Sequence, residues 1–162
     1  METTPQHSST KSKYIQLIRY VAIAGFTAGS LDGLAAIFIL SHGDASSIFK
    51  FIASGIYGKQ AFNGGEGMVL LGIAIHYMIA CTVALVYFTL FGHLGIYRKN
   101  ILVNAVAYGL LIYLFMNIIV LSISNATVPP RTLVSIARNA AILIVCVALP
   151  IVYIKRRFDS VR

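Results

Sequence analysis

The chain has 162 residues, of which 58% are hydrophobic and only 11% are charged, and its formal net charge is +8. Because charged residues make up about a quarter of an ordinary soluble domain, this composition excludes that class and indicates an integral membrane protein. The length allows one domain with at most about five spans, since each span needs roughly 20 apolar residues. The sequence contains four such segments.

The excess of basic residues lies mainly at the ends of the apolar segments, where it sets the orientation of a membrane protein. No DNA- or RNA-binding motif accompanies it, so we expect no nucleic-acid partner. Cys81 and Cys146 are far apart within apolar segments. They predict two small buried side chains rather than a disulfide or a redox pair.

The N-terminal part of the chain changes abruptly from polar to apolar. Residues 1–13 lack an apolar pattern, which predicts a mobile cytoplasmic tail. Residues 14–40 form the first predicted span. Its apolar part is much longer than the core of a secretory signal, and no small-residue cleavage site follows it, so we expect the segment to remain in the protein.

The first span combines a line of glycines with one acid. Gly25, Gly29 and Gly33 recur every fourth residue, which predicts a face for close helix packing. Asp32 lies on the same side of the helix as Gly25 and Gly29. A carboxylate at this depth is energetically costly, so it faces protein rather than lipid and is a candidate functional group.

The connection between the first two spans contains a short amphipathic helix over residues 46–57. Ser46 or Asp44 can cap its start, and Gly58 is a suitable stop. About three turns are too few to cross a bilayer, so the helix either lies in the interface or dips back into the bundle.

A glycine-rich turn follows the short helix and offers candidate residues for a site on the outer surface. These candidates are Asn63, Gly64, Gly65 and Glu66. The turn lacks the Lys-Ser/Thr that follows the glycines of a phosphate-binding loop, so it predicts no nucleotide site.

Three further spans are predicted over residues 68–91, 100–123 and 132–154, followed by a basic cytoplasmic tail over residues 155–162. Nine basic residues lie on the side of the two termini, and three lie on the other side. With an even number of spans, this asymmetry predicts that both termini are cytoplasmic. The nine are Lys11, Lys13, Arg19, Arg98, Lys99, Lys155, Arg156, Arg157 and Arg162, and the three are Lys50, Lys59 and Arg131.

Each predicted span contributes one polar residue to a common layer in its outer half. At 1.5 Å per residue, Asp32 and His76 lie about 12 Å below the outer boundary, and Asn117 and Arg138 lie about 9 Å below it. His76 shares a line of small residues with Gly72, as Asn117 does with Gly109. Since such lines mark helix interfaces, we expect Gly72 and Gly109 to be packing glycines and the four polar residues to converge.

The chemistry of this layer has several interpretations. Asp32 and Arg138 can form a charge-assisted pair in which each offsets the other's desolvation. An acid, a base and a histidine can also serve a proton relay or an ion-binding site. A structural role is the alternative, with the pair fixing helix register and His76 donating to a backbone carbonyl. We expect no catalytic residue, no metal ligand set and no cofactor.

The segment from Ile52 to Gly65, followed by Gly72 and His76 and preceded by an early Gly-Ser-Leu-Asp, resembles small four-span bacterial inner-membrane proteins of an uncharacterised family. The likeness covers about residues 25–117. It implies a multi-pass protein of the bacterial inner membrane and carries over no catalytic role.

The sequence therefore predicts an all-α integral membrane protein, a four-helix bundle with one extra short helix between helices 1 and 2. Transport or permeation of a small solute or ion is the first functional hypothesis. A membrane scaffold or accessory subunit is the second, and a membrane-embedded enzyme is the third. Expected partners are membrane lipids and either a second copy of the chain or another membrane subunit, because four spans rarely enclose a transport path alone.

Overall fold

The computed structural model describes residues 7–91, 100–127, 130 and 132–160. The beginning of the predicted N-terminal tail and four of the basic residues used for the orientation lie outside the described residues. These four are Arg98, Lys99, Arg131 and Arg162.

The described part of the chain contains helices and no strands. Four helical segments are long and apolar enough to span a membrane: Lys13–Leu40, Glu66–Thr89, Ile101–Ile123 and Leu133–Ser160. This confirms the all-α membrane class and the four-helix bundle with an extra short helix. In chain order the helices are α1 (His7–Ala35, continued by a π-helical segment Ala36–Leu40), α2 (Ala45–Tyr57), α3 (Gln60–Asn63), α4 (Glu66–Thr89), α5 (Ile101–Ile123) and α6 (Leu133–Ser160).

Two helix ends extend beyond their predicted positions. Helix α1 begins at His7, within the segment predicted to be a mobile tail. Helix α6 continues to Ser160, through most of the predicted basic tail. Its last turns are held by Lys155, which is only 4% exposed. The ammonium of Lys155 donates to both carboxylate oxygens of Asp159 at 2.6 and 2.7 Å, so this basic residue packs instead of being solvated.

Helix α1 packs closely against α4 because glycines of α1 leave room for the neighbouring backbone. A Cβ atom on Gly25 would lie 2.7 Å from the Cα of Cys81. A Cβ atom on Gly29 would lie 2.9 Å from the ring of Tyr77 and 3.1 Å from the Cβ of Ala80. Real Cβ atoms essentially never form contacts under 3.0 Å, so Gly25, which faces the Cys81 backbone, permits this helix separation.

Helix α6 packs against both α1 and α5. At the contact with α5, a Cβ atom on Gly109 would lie 2.8 Å from the Cα of Ile144. The half of the bundle that contains the C-terminal end of α6 holds a cluster of buried side chains. Its largest fully buried side chains are Tyr87, Phe88, Ile151 and Val152.

Tyrosine hydroxyls and one asparagine tie α4 to α5 within this packed half. The side-chain amide of Asn104 donates to the Tyr87 hydroxyl at 2.5 Å. The Tyr108 hydroxyl donates to the carbonyl of Val83 at 2.6 Å, and the rings of Tyr87 and Tyr108 are 4.7 Å apart. Because their polar atoms are paired with each other and with the backbone, these residues stabilise the contact between α4 and α5.

Helix α2 is built into the side of the bundle. The Asp44 carboxylate accepts from the Ser47 backbone N–H at 3.0 Å, so Asp44 rather than Ser46 is the cap. A Cβ atom on Gly72 of α4 would lie 1.9 Å from the carbonyl oxygen of Phe49. Gly72 is six residues into α4, about 9 Å from its start. Of the two predicted placements, the packing therefore favours the helix that dips into the bundle.

Candidate intramembrane binding site

A cavity of about 560 Å³ lies between the helices, with walls from α1, α2, α4, α5 and α6. This volume is in the range of small-molecule sites, about 300–1,000 Å³. Most of the lining is aliphatic. The polar residues that line it are Asp32, His76, Tyr113, Asn117, Ser124 and Asn139.

Asp32 is held at the cavity wall by the geometry of α1. Gly29, Asp32 and Ala36 are spaced three and four residues apart, so they share one helix face, and all three line the cavity. Among the described residues, the Asp32 carboxylate forms neither a hydrogen bond nor an ion pair. It is therefore an unpaired acid in a largely apolar environment.

His76 faces the same cavity from α4. Its Nε2–H donates to the carbonyl oxygen of Gly29 at 2.8 Å, which leaves Nδ1 as an acceptor in the neutral ring. The ring lies edge-on to Phe49 and Tyr77, with centroids 6.1 and 5.6 Å away. A Cβ atom on Gly33 would lie 3.4 Å from Nε2, so the ring sits directly against the α1 backbone.

Two asparagine amides complete the polar part of the wall. The side-chain N–H of Asn117 donates to the carbonyl of Tyr113, one turn earlier, at 2.7 Å. Its Oδ1 remains available as an acceptor. The Oδ1 atom of Asn139 is buried and has no hydrogen-bond partner among the described residues. A buried unpaired acceptor is unfavourable by about 1–3 kcal/mol, and a ligand donor would relieve that cost.

Arg138 does not join this site. Its side chain is exposed on α6, and the next residue, Asn139, lines the cavity instead. Successive helix positions differ by about 100°, and at this point of α6 that turn leaves Arg138 on the exposed side while Asn139 faces the cavity. The expected ion pair between Asp32 and Arg138 is therefore corrected, and α6 supplies a neutral amide to the layer in place of a base.

The three π-helical segments of the described chain all reach the cavity. They are Ala36–Leu40 in α1, Phe115–Val120 in α5 and Leu143–Ala148 in α6, and each contributes lining residues. A π segment accommodates an extra residue in the helix and is frequent at functional sites. Here the wider turns of all three segments border the same cavity.

Helix α2 forms one wall of the cavity, and Asn125, in the loop after α5, holds it in place. The backbone N–H of Asn125 donates to the Gly55 carbonyl at 2.9 Å. The Asn125 side-chain amide donates to the Ile56 carbonyl, also at 2.9 Å. Because Gly55 and Ile56 themselves line the cavity, these two bonds hold a wall of the site in place.

The candidate residues of the glycine-rich turn lie away from the cavity. Asn63 ends α3, Gly64 and Gly65 connect it to α4, and Glu66 is the exposed first residue of α4. Among the described residues, no group of three His, Cys, Asp or Glu side chains is arranged to hold a metal ion.

The sequence did not reveal Asn139, Tyr113 or Ser124 as lining residues, nor Asn125 as a support of the cavity wall. Asn139 lies three and four residues before Ile142 and Leu143, which also line the cavity. In a membrane helix this spacing carries little information, because the lipid-facing side is equally apolar. Asn125 lies in a short polar loop, and its contacts with α2 join residues far apart in the chain.

In comparisons with known proteins, no family model, curated protein or solved structure matches this chain.

Proposed function

We propose that this multi-pass membrane protein transports a small solute by way of the cavity among its helices. The observation that supports the proposal is the unpaired Asp32 carboxylate in the cavity wall. A carboxylate buried among apolar side chains is destabilising unless a partner neutralises it, and such residues within membranes commonly bind transported solutes, ions or protons.

The proposed setting is the bacterial inner membrane, with both termini in the cytoplasm and the α2 side of the cavity facing outward. The basic residues of the described α1 and α6 ends, including Arg19, Arg156 and Arg157, support this orientation. Cysteine introduced by Asn63→Cys is expected to react with an impermeant reagent from outside the cell. Reaction only after permeabilisation would reverse the assignment.

A scaffold or accessory subunit is the second candidate function. The close glycine contacts of α1, α4, α5 and α6 serve such a role equally well, because they fix helix positions without needing a ligand. A membrane enzyme is the third candidate. A second copy of the chain is part of the transport proposal, since a single four-helix bundle encloses only a short path.

The experiment that separates transport from scaffolding measures access to the cavity from each side of the membrane. Asn139→Cys is made in a background carrying Cys81→Ala and Cys146→Ala, and the protein is reconstituted in oriented vesicles. A small charged thiol reagent is added to one side and then, in a separate sample, to the other. The matched control is Ala141→Cys, whose side chain is exposed on the surface of the same helix.

Transport predicts labelling of Asn139→Cys from both sides, because the site must open to each compartment in turn. The cysteine of Ala141→Cys should resist the reagent from either side, since it faces lipid. Labelling of Asn139→Cys from one side only, or from neither, would refute transport and leave the scaffold as the better proposal.

A further inference from the structure

The polar part of the cavity presents several hydrogen-bond acceptors, one of which is a carboxylate. The acceptors are the Asp32 carboxylate, the Asn139 Oδ1 and the Asn117 Oδ1. Two of the donors are engaged, since His76 donates to Gly29 and one N–H of the Asn117 amide donates to Tyr113. The carboxylate itself can only accept, so a ligand that pairs with Asp32 must bring N–H or O–H groups.

No fixed cation of the described chain neutralises the acid. No lysine or arginine is among the described residues that line the cavity. Arg138 is exposed on α6, and Lys155 is engaged with Asp159 near the other end of the bundle. A charge-bearing ligand can supply what the protein lacks, because a buried carboxylate is stabilised by a hydrogen-bonded cation.

The rest of the cavity wall indicates the size and polarity of the ligand. It consists largely of aliphatic side chains, with Phe51 and Tyr113 as the aromatic members. A volume of about 560 Å³ exceeds what a hydrated inorganic cation requires and suits an organic molecule. The apolar surface would exclude a sugar or another polyhydroxylated solute, because its hydroxyls would lose water without gaining partners.

We propose that the solute is an amphiphilic organic cation, a primary or secondary ammonium on an apolar body. The ammonium N–H groups donate to the Asp32 carboxylate and to the Asn139 Oδ1, while the apolar body fills the aliphatic part of the cavity. This inference rests on the proposed function for the movement of the solute, but the binding it describes can be measured without transport.

The test compares three probes that share one apolar body, on the full chain in lipid nanodiscs. The probes are 4-phenylbutylammonium, 4-phenylbutyltrimethylammonium and 4-phenylbutanol, and isothermal titration calorimetry against empty nanodiscs corrects for partition into lipid. We expect the ammonium to bind at least tenfold more tightly than the alcohol, because only the ammonium neutralises Asp32. It should also exceed the trimethylammonium, which has no N–H for the amide oxygen.

Two variants assign the binding to the site. Asp32→Asn should reduce ammonium affinity at least tenfold, and Asn139→Leu should reduce it severalfold while leaving the trimethylammonium unchanged. Equal affinities of the ammonium and the alcohol for the wild-type protein would overturn the inference, and so would ammonium binding that survives Asp32→Asn. Ammonium binding together with one-sided labelling of Asn139→Cys would retain the ligand class and refute transport.

Discussion

Gly72→Ala tests whether α2 depends on direct contact with the α4 backbone. The added Cβ atom would lie 1.9 Å from the Phe49 carbonyl oxygen and 2.6 Å from its carbonyl carbon. Both are backbone atoms, so no side-chain rotation relieves the overlap. Restoring an ordinary contact requires α2 to retreat by about 1.5 Å, and overpacking of this kind costs about 1–3 kcal/mol.

Gly67→Ala is the matched control, since it makes the same change in the same helix. A Cβ atom on Gly67 meets nothing within 4 Å, and alanine is a better helix former than glycine, so this variant should be neutral or slightly more stable. Unfolding in mixed detergent micelles gives the free energy of both. Equal stability of Gly72→Ala and Gly67→Ala would refute the packing of α2 on α4.

Three further predictions concern the cavity and its supports. Asn125→Ala should lower stability by about 1 kcal/mol and increase amide exchange at the end of α2, because one of its two hydrogen bonds to α2 is lost. Exchange unchanged from the wild type would argue against this fastening. Arg138→Ala should change the free energy of unfolding by less than about 0.5 kcal/mol, because its side chain is exposed. Its effect should add to that of Asp32→Asn in a double-mutant cycle, since the two residues do not pair. A coupling energy well above that value would restore the ion pair. Tyr108→Phe should cost about 1 kcal/mol in the same unfolding assay, because it deletes the donor to Val83, and an unchanged free energy would show that the carbonyl finds another partner.

The helices were predictable because length and hydropathy alone decide which segments can cross a membrane. The predicted first and third spans, 14–40 and 100–123, agree closely with Lys13–Leu40 and Ile101–Ile123. The short helix was recognisable from its cap, its length and its stop at Gly58, which adopts a positive φ of 58°. The contact of this helix with Gly72 could not be predicted, because an apolar helix face can pack against lipid or against protein.

The acid in α1 could be oriented from sequence because glycine distinguishes one side of that helix from the other. The Gly25 and Gly29 face meets α4, and Asp32 lies at its border with the cavity. Helix α6 offers no comparable marker near the layer. There the prediction of Arg138 rested on its chemistry, as the base that could pair with Asp32, and not on its position around the helix.

The neutral amide at Asn139 changes what the acid in α1 can do. An arginine beside Asp32 would neutralise the carboxylate within the protein, and the resulting ion pair would need no ligand. With Arg138 on the exposed side and Asn139 adding a second acceptor, no fixed cation in the described part of the chain balances the charge of Asp32. The balance is left to a proton, on Asp32 or on the neighbouring His76, or to a bound cation. A proton satisfies the carboxylate but leaves the Asn139 oxygen unpaired, whereas an ammonium donates to both. On α6, Asn139 rather than Arg138 faces the cavity. This one difference removes the predicted ion pair and also supports the proposed ligand class.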